Sequence, residues 1–225
     1  MCSGDYILAI GMTESGTGND LKAVRATAVR ERGEYVINGS KTFISNGLNA
    51  DLIIMVCKTD PSAGSKDVSL IVVEATREGF RRGRKLGKVG QHAQDTAELL
   101  FDNVRVPVGN FLGEEGKGFA HLMAEQARER LSIAVGAAAN LKACLEHTID
   151  YVKDRKAFIQ TVWDFQDTKS KLADIKAQTV AVRLLVDHYP SEHLNRRLTL
   201  EEAAIAKLFK TLCLVQTFGC KIELR

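Results

Sequence analysis

The hydrophobic period of this chain changes near residue 110, and that change restricts the fold more than any other feature. Before it, short apolar runs rich in Val, Ile and Phe are separated by Gly, Asn, Asp and Pro, the pattern of strands and turns. After Gly116, apolar residues recur at steps of three and four, the pattern of a helix with one apolar face. A chain that holds the two periods in succession segregates its strands from its helices. We therefore expect an α+β protein: an antiparallel β domain, barrel- or sandwich-like, over residues 1–110, then an antiparallel helical bundle over residues 111–225.

Candidate strands fall at 23–30, 34–37, 41–45, 52–59, 68–74 and 97–104. Glu31-Arg32-Gly33 and Asn38-Gly39 read as turns between the first three, and Pro107 and Gly109 close this half. In the second half, Leu131, Ala134, Val135, Ala138, Leu141, Leu145, Ile149 and Val152 mark one face of a long first helix. A second is expected from about Trp163 to Val186, with Leu172, Ile175, Thr179, Val182 and Leu185 inward. Ile205, Leu208, Leu212, Val215, Gly219 and Ile222 form the stripe of a third, with Thr199 and Glu202 as a capping box at its start. Three such stripes ask for a fourth helix, and the third still carries its pattern near Arg225, so the chain reads as a piece of a longer protein.

Charge excludes some functions. Thirty-one basic against 28 acidic residues give a net charge of +3, too small and too dispersed for nucleic-acid binding. The densest basic run, Arg81-Arg82-Gly83-Arg84-Lys85, reads as a solvated loop in preference to a phosphate-facing rim. Five cysteines, at 2, 57, 144, 213 and 220, show no C-x-x-C spacing, so neither a disulfide framework nor a metal site is indicated. Cys57 ends the apolar run Leu52-Ile53-Ile54-Met55-Val56 and reads as a buried free thiol, which suits a reducing compartment. No apolar run approaches the ~20 residues that span a bilayer, and the N-terminus shows no signal-peptide pattern.

Two motifs carry chemistry. In Met12-Thr13-Glu14-Ser15-Gly16-Thr17-Gly18-Asn19-Asp20, two glycines one residue apart let a backbone turn tightly and present N–H groups to an anion. No βαβ unit surrounds it, which excludes a Rossmann turn. In Asn38-Gly39-Ser40-Lys41-Thr42-Phe43-Ile44-Ser45-Asn46-Gly47, an aromatic and a hydroxyl two apart on a strand share a face. Phe43 can pack on a flat heterocycle while Ser45 hydrogen-bonds its edge. Taken singly, each motif is explained better by the plainer reading, a polar turn for the first and a hairpin with one core aromatic for the second.

Together they resemble the acyl-CoA dehydrogenase family, whose middle β domain carries T-E-x-G-x-G-[SN]-D and then N-G-x-K-x-[FW]-I-[ST]-N-G. Three more matches follow in order. Gln94-Asp95-Thr96-Ala97-Glu98-Leu99 with Val104-Arg105-Val106-Pro107 resembles its Q-D-T-A-E-L…V-R-V-P strand pair. Gly113-Glu114-Glu115-Gly116-Lys117-Gly118-Phe119 resembles its entry to the first C-terminal helix, and Arg155-Lys156-Ala157-Phe158 with Gln166 its R-x-x-F…F-Q element.

The resemblance implies FAD as cofactor and acyl-CoA as substrate. It lays Ile10, Gly11, Met12, Thr13, Glu14, Ser15, Gly16, Thr17, Gly18 and Asn19 along the flavin and its phosphates, and Phe43, Ile44 and Ser45 against the isoalloxazine. Arg155 and Gln166 match positions that reach the FAD of a neighbouring subunit, and Glu223, Leu224 and Arg225 lead into a late FAD-contacting segment. Asn19, Ala120, Ala127, Arg128 and Arg130 would line or flank the acyl site, with Ser65 and Lys66 near the CoA moiety. The chain departs from the family at Ser15, often Pro, at Asn19, often Ser, and at Ile159-Gln160, usually Gly-Lys.

The family's reaction removes an α-proton and passes the β-hydrogen to flavin N5. A carboxylate takes that proton best when burial raises its pKa towards operating pH. Glu129-Arg130-Leu131 resembles the branch, long-chain and isovaleryl-type, that holds the base on the first long helix; Glu125, one turn earlier, is the internal competitor. The resemblance thus implies oxidation of long or branched acyl-CoA to trans-2-enoyl-CoA, with Glu129 as base. It also implies an electron-transfer flavoprotein as acceptor, a homodimer or homotetramer, and a bacterial cytoplasm or mitochondrial matrix. A flavin-binding scaffold or sensor without dehydrogenase activity, and an acyl-CoA oxidase, are the alternatives.

Overall fold

The computed structural model describes residues 3–60 and 68–223, with side chains to residue 219. The chain divides into two compact units, Met1–Leu122 and Met123–Arg225. Among the described residues, no helix is long and apolar enough to cross a membrane.

The first unit is a seven-stranded, mostly antiparallel sheet: β1 (Leu8–Gly11), β2 (Thr27–Glu31), β3 (Glu34–Ser45), β4 (Leu52–Lys58), β5 (Val68–Glu74), β6 (Phe80–Lys85) and β7 (Thr96–Pro107). Two pairings depart from the expected antiparallel pattern. Strand β1 runs parallel to β4, from Leu8 opposite Leu52 to Gly11 opposite Met55, and β2 meets β4 in parallel at Thr27 and Lys58. Strands β4 and β5 carry the core, burying Ile53, Met55, Val56, Cys57, Val68, Leu70, Ile71 and Val73. Each such aliphatic side chain contributes roughly 1.5–3 kcal/mol relative to exposure. Their near-continuous apolar runs reflect burial on both faces. Cys57 is a buried free thiol, and its burial pushes the pKa up to about 12.

Local turn signals misled at two places. Asn38-Gly39 is not a hairpin turn: β3 runs straight through it, paired with β7 from Glu34–Pro107 to Ser45–Thr96. Pairing along twelve residues outweighs the local preference, and the pair is absorbed as a register shift between Ile37 and Gly39. Gly39 sits at φ +147°, and a Cβ there would lie 2.6 Å from that of Ala26, so glycine is required. The basic run 81–85 is not a loop but most of edge strand β6, paired with β7. Arg82 donates to the Ala50 carbonyl at 2.8 Å and lies over the Phe80 ring, and charges on an edge strand discourage further pairing. The strand expected at 23–30 begins later, because Asp20 caps a short 3₁₀ turn at Leu21–Ala23.

The second unit takes up most of helix α1 (Gly118–Asp154), then a small hairpin of β8 (Lys156–Ala157) and β9 (Gln160–Thr161), and helices α2 (Gln166–Leu194) and α3 (Leu200–Glu223). Leu145 and Val152 of α1 pack with Leu172 and Ile175 of α2, while Leu141 packs with Val182 and with Cys213 of α3. The reversed order along α1 and α2 makes them antiparallel. Helix α2 continues through Pro190 to Leu194, beyond the expected end. The Thr199–Glu202 capping box forms: Thr199 Oγ1 accepts the Glu202 N–H at 3.1 Å, and the Glu202 carboxylate accepts the Thr199 N–H at 2.9 Å.

Helix α3 does not bury its apolar stripe. Ile205, Leu208, Leu212 and Val215 are 48%, 58%, 54% and 69% exposed, and the buried side carries Ala203, Ala206, Lys210, Cys213 and Thr217.

Candidate functional site

The glycine motif folds as a tight turn. Glu14 and Thr17 exchange both backbone hydrogen bonds, at 3.0 and 3.1 Å, which leaves Ser15 and Gly16 at the tip. One side of the turn is fastened to the protein. The Thr17 hydroxyl donates to the Ala23 carbonyl at 3.0 Å, and the Thr42 N–H donates to the Thr13 carbonyl at 2.9 Å, which lays the turn beside β3. On the other side, Ser15, Gly16, Gly18 and Asn19 are exposed. A Cβ added at Gly16 or Gly18 would meet nothing in this chain. Neither glycine is demanded by packing among the described residues.

Strand β3 supplies the adjoining surface. A second register shift lies between Lys41 and Ile44, and Phe43 within it adopts φ +58°. Such a backbone is strained for an aromatic residue, and strain of this kind clusters where a side chain must be aimed. Here it turns the Phe43 ring outward, 66% exposed, while Ile44 is buried. Ser45 is exposed too, with its Oγ accepting from Gln94 Nε2 at 3.2 Å. Asp95 accepts the Leu48 N–H at 2.6 Å and pins the turn that follows.

Not every residue of the motif faces out. Gly11 is buried, and Ile10, Met12 and Thr13 are half-buried. The Glu14 carboxylate points inward, bound to Lys41 at 2.8 Å and to the N–H groups of Arg25 and Ala26 at 2.8 and 3.1 Å. Lys41, which sequence reasoning left without a role, is fully buried. Its signal was a cation in one motif with an acidic residue, Glu14, in the other.

On α1, Glu129 is exposed and its side chain makes no hydrogen bond or ion pair among the described residues. Glu125 is engaged instead, paired with Arg128 at 2.6 Å. Ala120 and Arg128 are exposed, and Ala127 and Arg130 half-buried. Arg155 follows the last turn of α1 and Gln166 opens α2, both exposed. Ser65, Lys66, Leu224 and Arg225 lie outside the described residues, as does the side chain of Glu223.

A separate depression of about 740 Å³ on the β unit is lined by Glu34, Arg77, Glu78, Gly79, Arg81, Asp102, Asn103 and Arg105. Its arginines are already paired, with Glu74, Asp102 and Glu31 respectively, and no predicted site residue lines it.

An exposed aromatic ring thus stands beside an open glycine turn, on a β unit that precedes long helices. Comparison with known proteins gives the family. Residues 9–104 match the model for the acyl-CoA dehydrogenase middle domain, and residues 116–219 that for the acyl-CoA dehydrogenase C-terminal domain. The chain belongs to the acyl-CoA dehydrogenase family. It is 46% identical over 209 residues to the mitochondrial long-chain specific acyl-CoA dehydrogenase of Mus musculus, covering 92% of this chain and 49% of that protein. It is 40% identical over 210 residues to an acyl-CoA dehydrogenase of Bacillus subtilis, covering 93% and 55%. The crystal structure of an acyl-CoA dehydrogenase from Geobacillus kaustophilus superposes with a TM-score of 0.96 at 43% identity, over 99% of this chain and 59% of that one. The chain thus spans about half the length of the curated relatives it matches.

Proposed function

We propose that the full-length protein is an FAD-dependent dehydrogenase that converts a long-chain or branched acyl-CoA to its trans-2-enoyl-CoA. The observation that carries this reading is the strained, outward Phe43 beside an open glycine turn, in a chain whose first long helix holds Glu129 with no side-chain partner among the described residues. When bound, FAD supplies the acceptor for the β-hydrogen.

The chain's own residues divide the remaining work. Phe43 offers its face to the isoalloxazine, and Ser45 a hydroxyl to the ring edge. The turn at Ser15–Asn19 offers N–H groups and side-chain donors to phosphate, with Thr13 towards the ring and Asn19 towards substrate. Arg155 suits the pyrophosphate of a neighbouring subunit's FAD, because its planar fork pairs with two oxygens at once, and Gln166 would join it there in a dimer or tetramer. Glu129 takes the α-proton. Of the two candidate carboxylates it is the one left free, since Arg128 holds Glu125. The acyl chain would lie over Glu129. Ala120, Ala127, Arg128 and Arg130 would flank that chain. An electron-transfer flavoprotein is the expected acceptor, and a mitochondrial matrix or bacterial cytoplasm the expected compartment.

The test is an anaerobic titration of the full-length protein with acyl-CoAs of graded length and branching, followed at the visible flavin band. Bleaching by long or branched substrates is expected. A flavin-loaded protein that no acyl-CoA reduces would overturn the reading in favour of a scaffold or sensor. Stoichiometric oxygen consumption with substrate would replace it by an oxidase.

A further inference from the structure

Glu14 and Lys41 lie behind the surface that carries Phe43 and the Ser15-Gly16 turn, and their charged groups do not face it. Lys41 is fully buried although Ser40 and Phe43 on the same strand are exposed. Its Nζ donates to Glu14 at 2.8 Å and to the Met12 carbonyl at 3.1 Å. The Glu14 carboxylate also accepts the N–H groups of Arg25 and Ala26. The pair therefore ties together the turn, the segment entering β2, and β3. Burial opposes the charge on Glu14, but its donors outweigh burial and hold the carboxyl below its ordinary value. Burial lowers the Lys41 pKa, with Glu14 countering it.

Stability alone does not account for such a pair, because apolar side chains of similar volume often serve a buried position as well or better. The register of β3 supplies another role. Under strict alternation Lys41, Phe43 and Ser45 would share a face. The shift between Lys41 and Ile44 breaks that phase: Lys41 and Ile44 turn in, Phe43 and Ser45 turn out. An anchored Lys41 fixes the strand on one side of the shift. The same ammonium holds Met12, next to Thr13, whose carbonyl accepts the Thr42 N–H.

We infer that Glu14 and Lys41 are positioning residues: they set the phase of the shift that turns Phe43 outward, and hold the glycine turn beside it, so that platform and turn meet one flat, anionic ligand in fixed relation. The inference rests on the FAD reading and deepens it. Glu14 acts through Lys41 and the backbone, not by touching the cofactor.

The test uses the full-length protein and three variants, Lys41→Met, Lys41→Arg and Glu14→Gln. Three properties are read: cooperative thermal unfolding of the apoprotein, FAD affinity, and the position and shape of the bound flavin band. Lys41→Met is expected to unfold cooperatively, to bind FAD at least about tenfold more weakly, and to alter the band, since small misplacements carry large penalties. Lys41→Arg should recover most of both properties. An affinity within about twofold of wild type and an unchanged band in Lys41→Met would overturn the inference. If Lys41→Met does not fold, Glu14→Gln, which keeps the shape and one acceptor oxygen, decides by the same criteria. A wild-type protein that binds no flavin overturns the functional reading and this inference together, whereas a loaded wild type with an indifferent Lys41→Met overturns the inference alone.

Discussion

Lys41 in strand β3 and Lys210 in helix α3 are both fully buried, yet the chain answers only the first. Lys41 has a carboxylate at 2.8 Å and a carbonyl at 3.1 Å. Lys210 Nζ has no hydrogen-bond partner among the described residues, and its burial lowers the pKa to about 8, with Asp187 countering only in part. The surroundings differ in the same sense. In the β unit, buried polar groups complete one another and organise the surface above them. In the helical unit, α3 buries alanines, a cysteine, threonine and a lysine while Leu208, Leu212 and Val215 stay exposed. A buried charge is therefore directly paired in one unit and only partly compensated in the other.

That contrast can be broken by substitution. The largest effect is expected from Lys41→Met, which leaves Glu14 buried without its cation and should cost about 3–5 kcal/mol in urea unfolding. Adding Glu14→Leu should restore much of that loss, because the desolvation cost of the pair then disappears. At Lys210 the sign reverses. Lys210→Met removes an unanswered ammonium and should stabilise by roughly 1–3 kcal/mol. The pH dependence follows from the lowered pKa. Between about 8 and the ordinary lysine value of 10.5, Lys210 takes up a proton on unfolding, so its contribution to stability should rise with pH across that window. Lys210→Met should lose that contribution, read as the difference between the stability–pH curves of wild type and variant. Destabilisation of similar size at both positions would erase the distinction between the two units.

A smaller effect is expected at the β8–β9 hairpin. Its tip residues, Phe158 and Ile159, adopt φ +52° and +73° and are 89% and 107% exposed. A β-branched residue is strained there, so Ile159→Gly should stabilise by about 1 kcal/mol. A loss on that substitution would mean that the isoleucine makes a contact outside this chain.

The change of hydrophobic period, and strands β4 and β5, were legible in the sequence because they depend on composition over a window. Phase was less legible. Asn38-Gly39 carries a strong local turn signal, but the pairing of β3 with β7 overrode it, and only distant contacts reveal that. The α3 stripe marked a face that asks to be covered, and nothing in periodicity says which neighbour meets which face. At the site, the resemblance of Glu129-Arg130-Leu131 favoured Glu129 over Glu125, but that Arg128 pairs with Glu125 was not legible in the letters. Glu14 belonged to a recognisable motif, yet that its carboxylate turns inward follows from Lys41, Arg25 and Ala26, which are remote in sequence.

The most direct test of the account is anaerobic mixing of acyl-CoA with flavin-loaded, full-length Glu129→Gln. The variant should bind FAD and acyl-CoA as wild type does and leave the flavin oxidised, while Glu125→Gln should reduce it at close to the wild-type rate. Flavin bleaching at the wild-type rate in Glu129→Gln would contradict the assignment of Glu129 as the base.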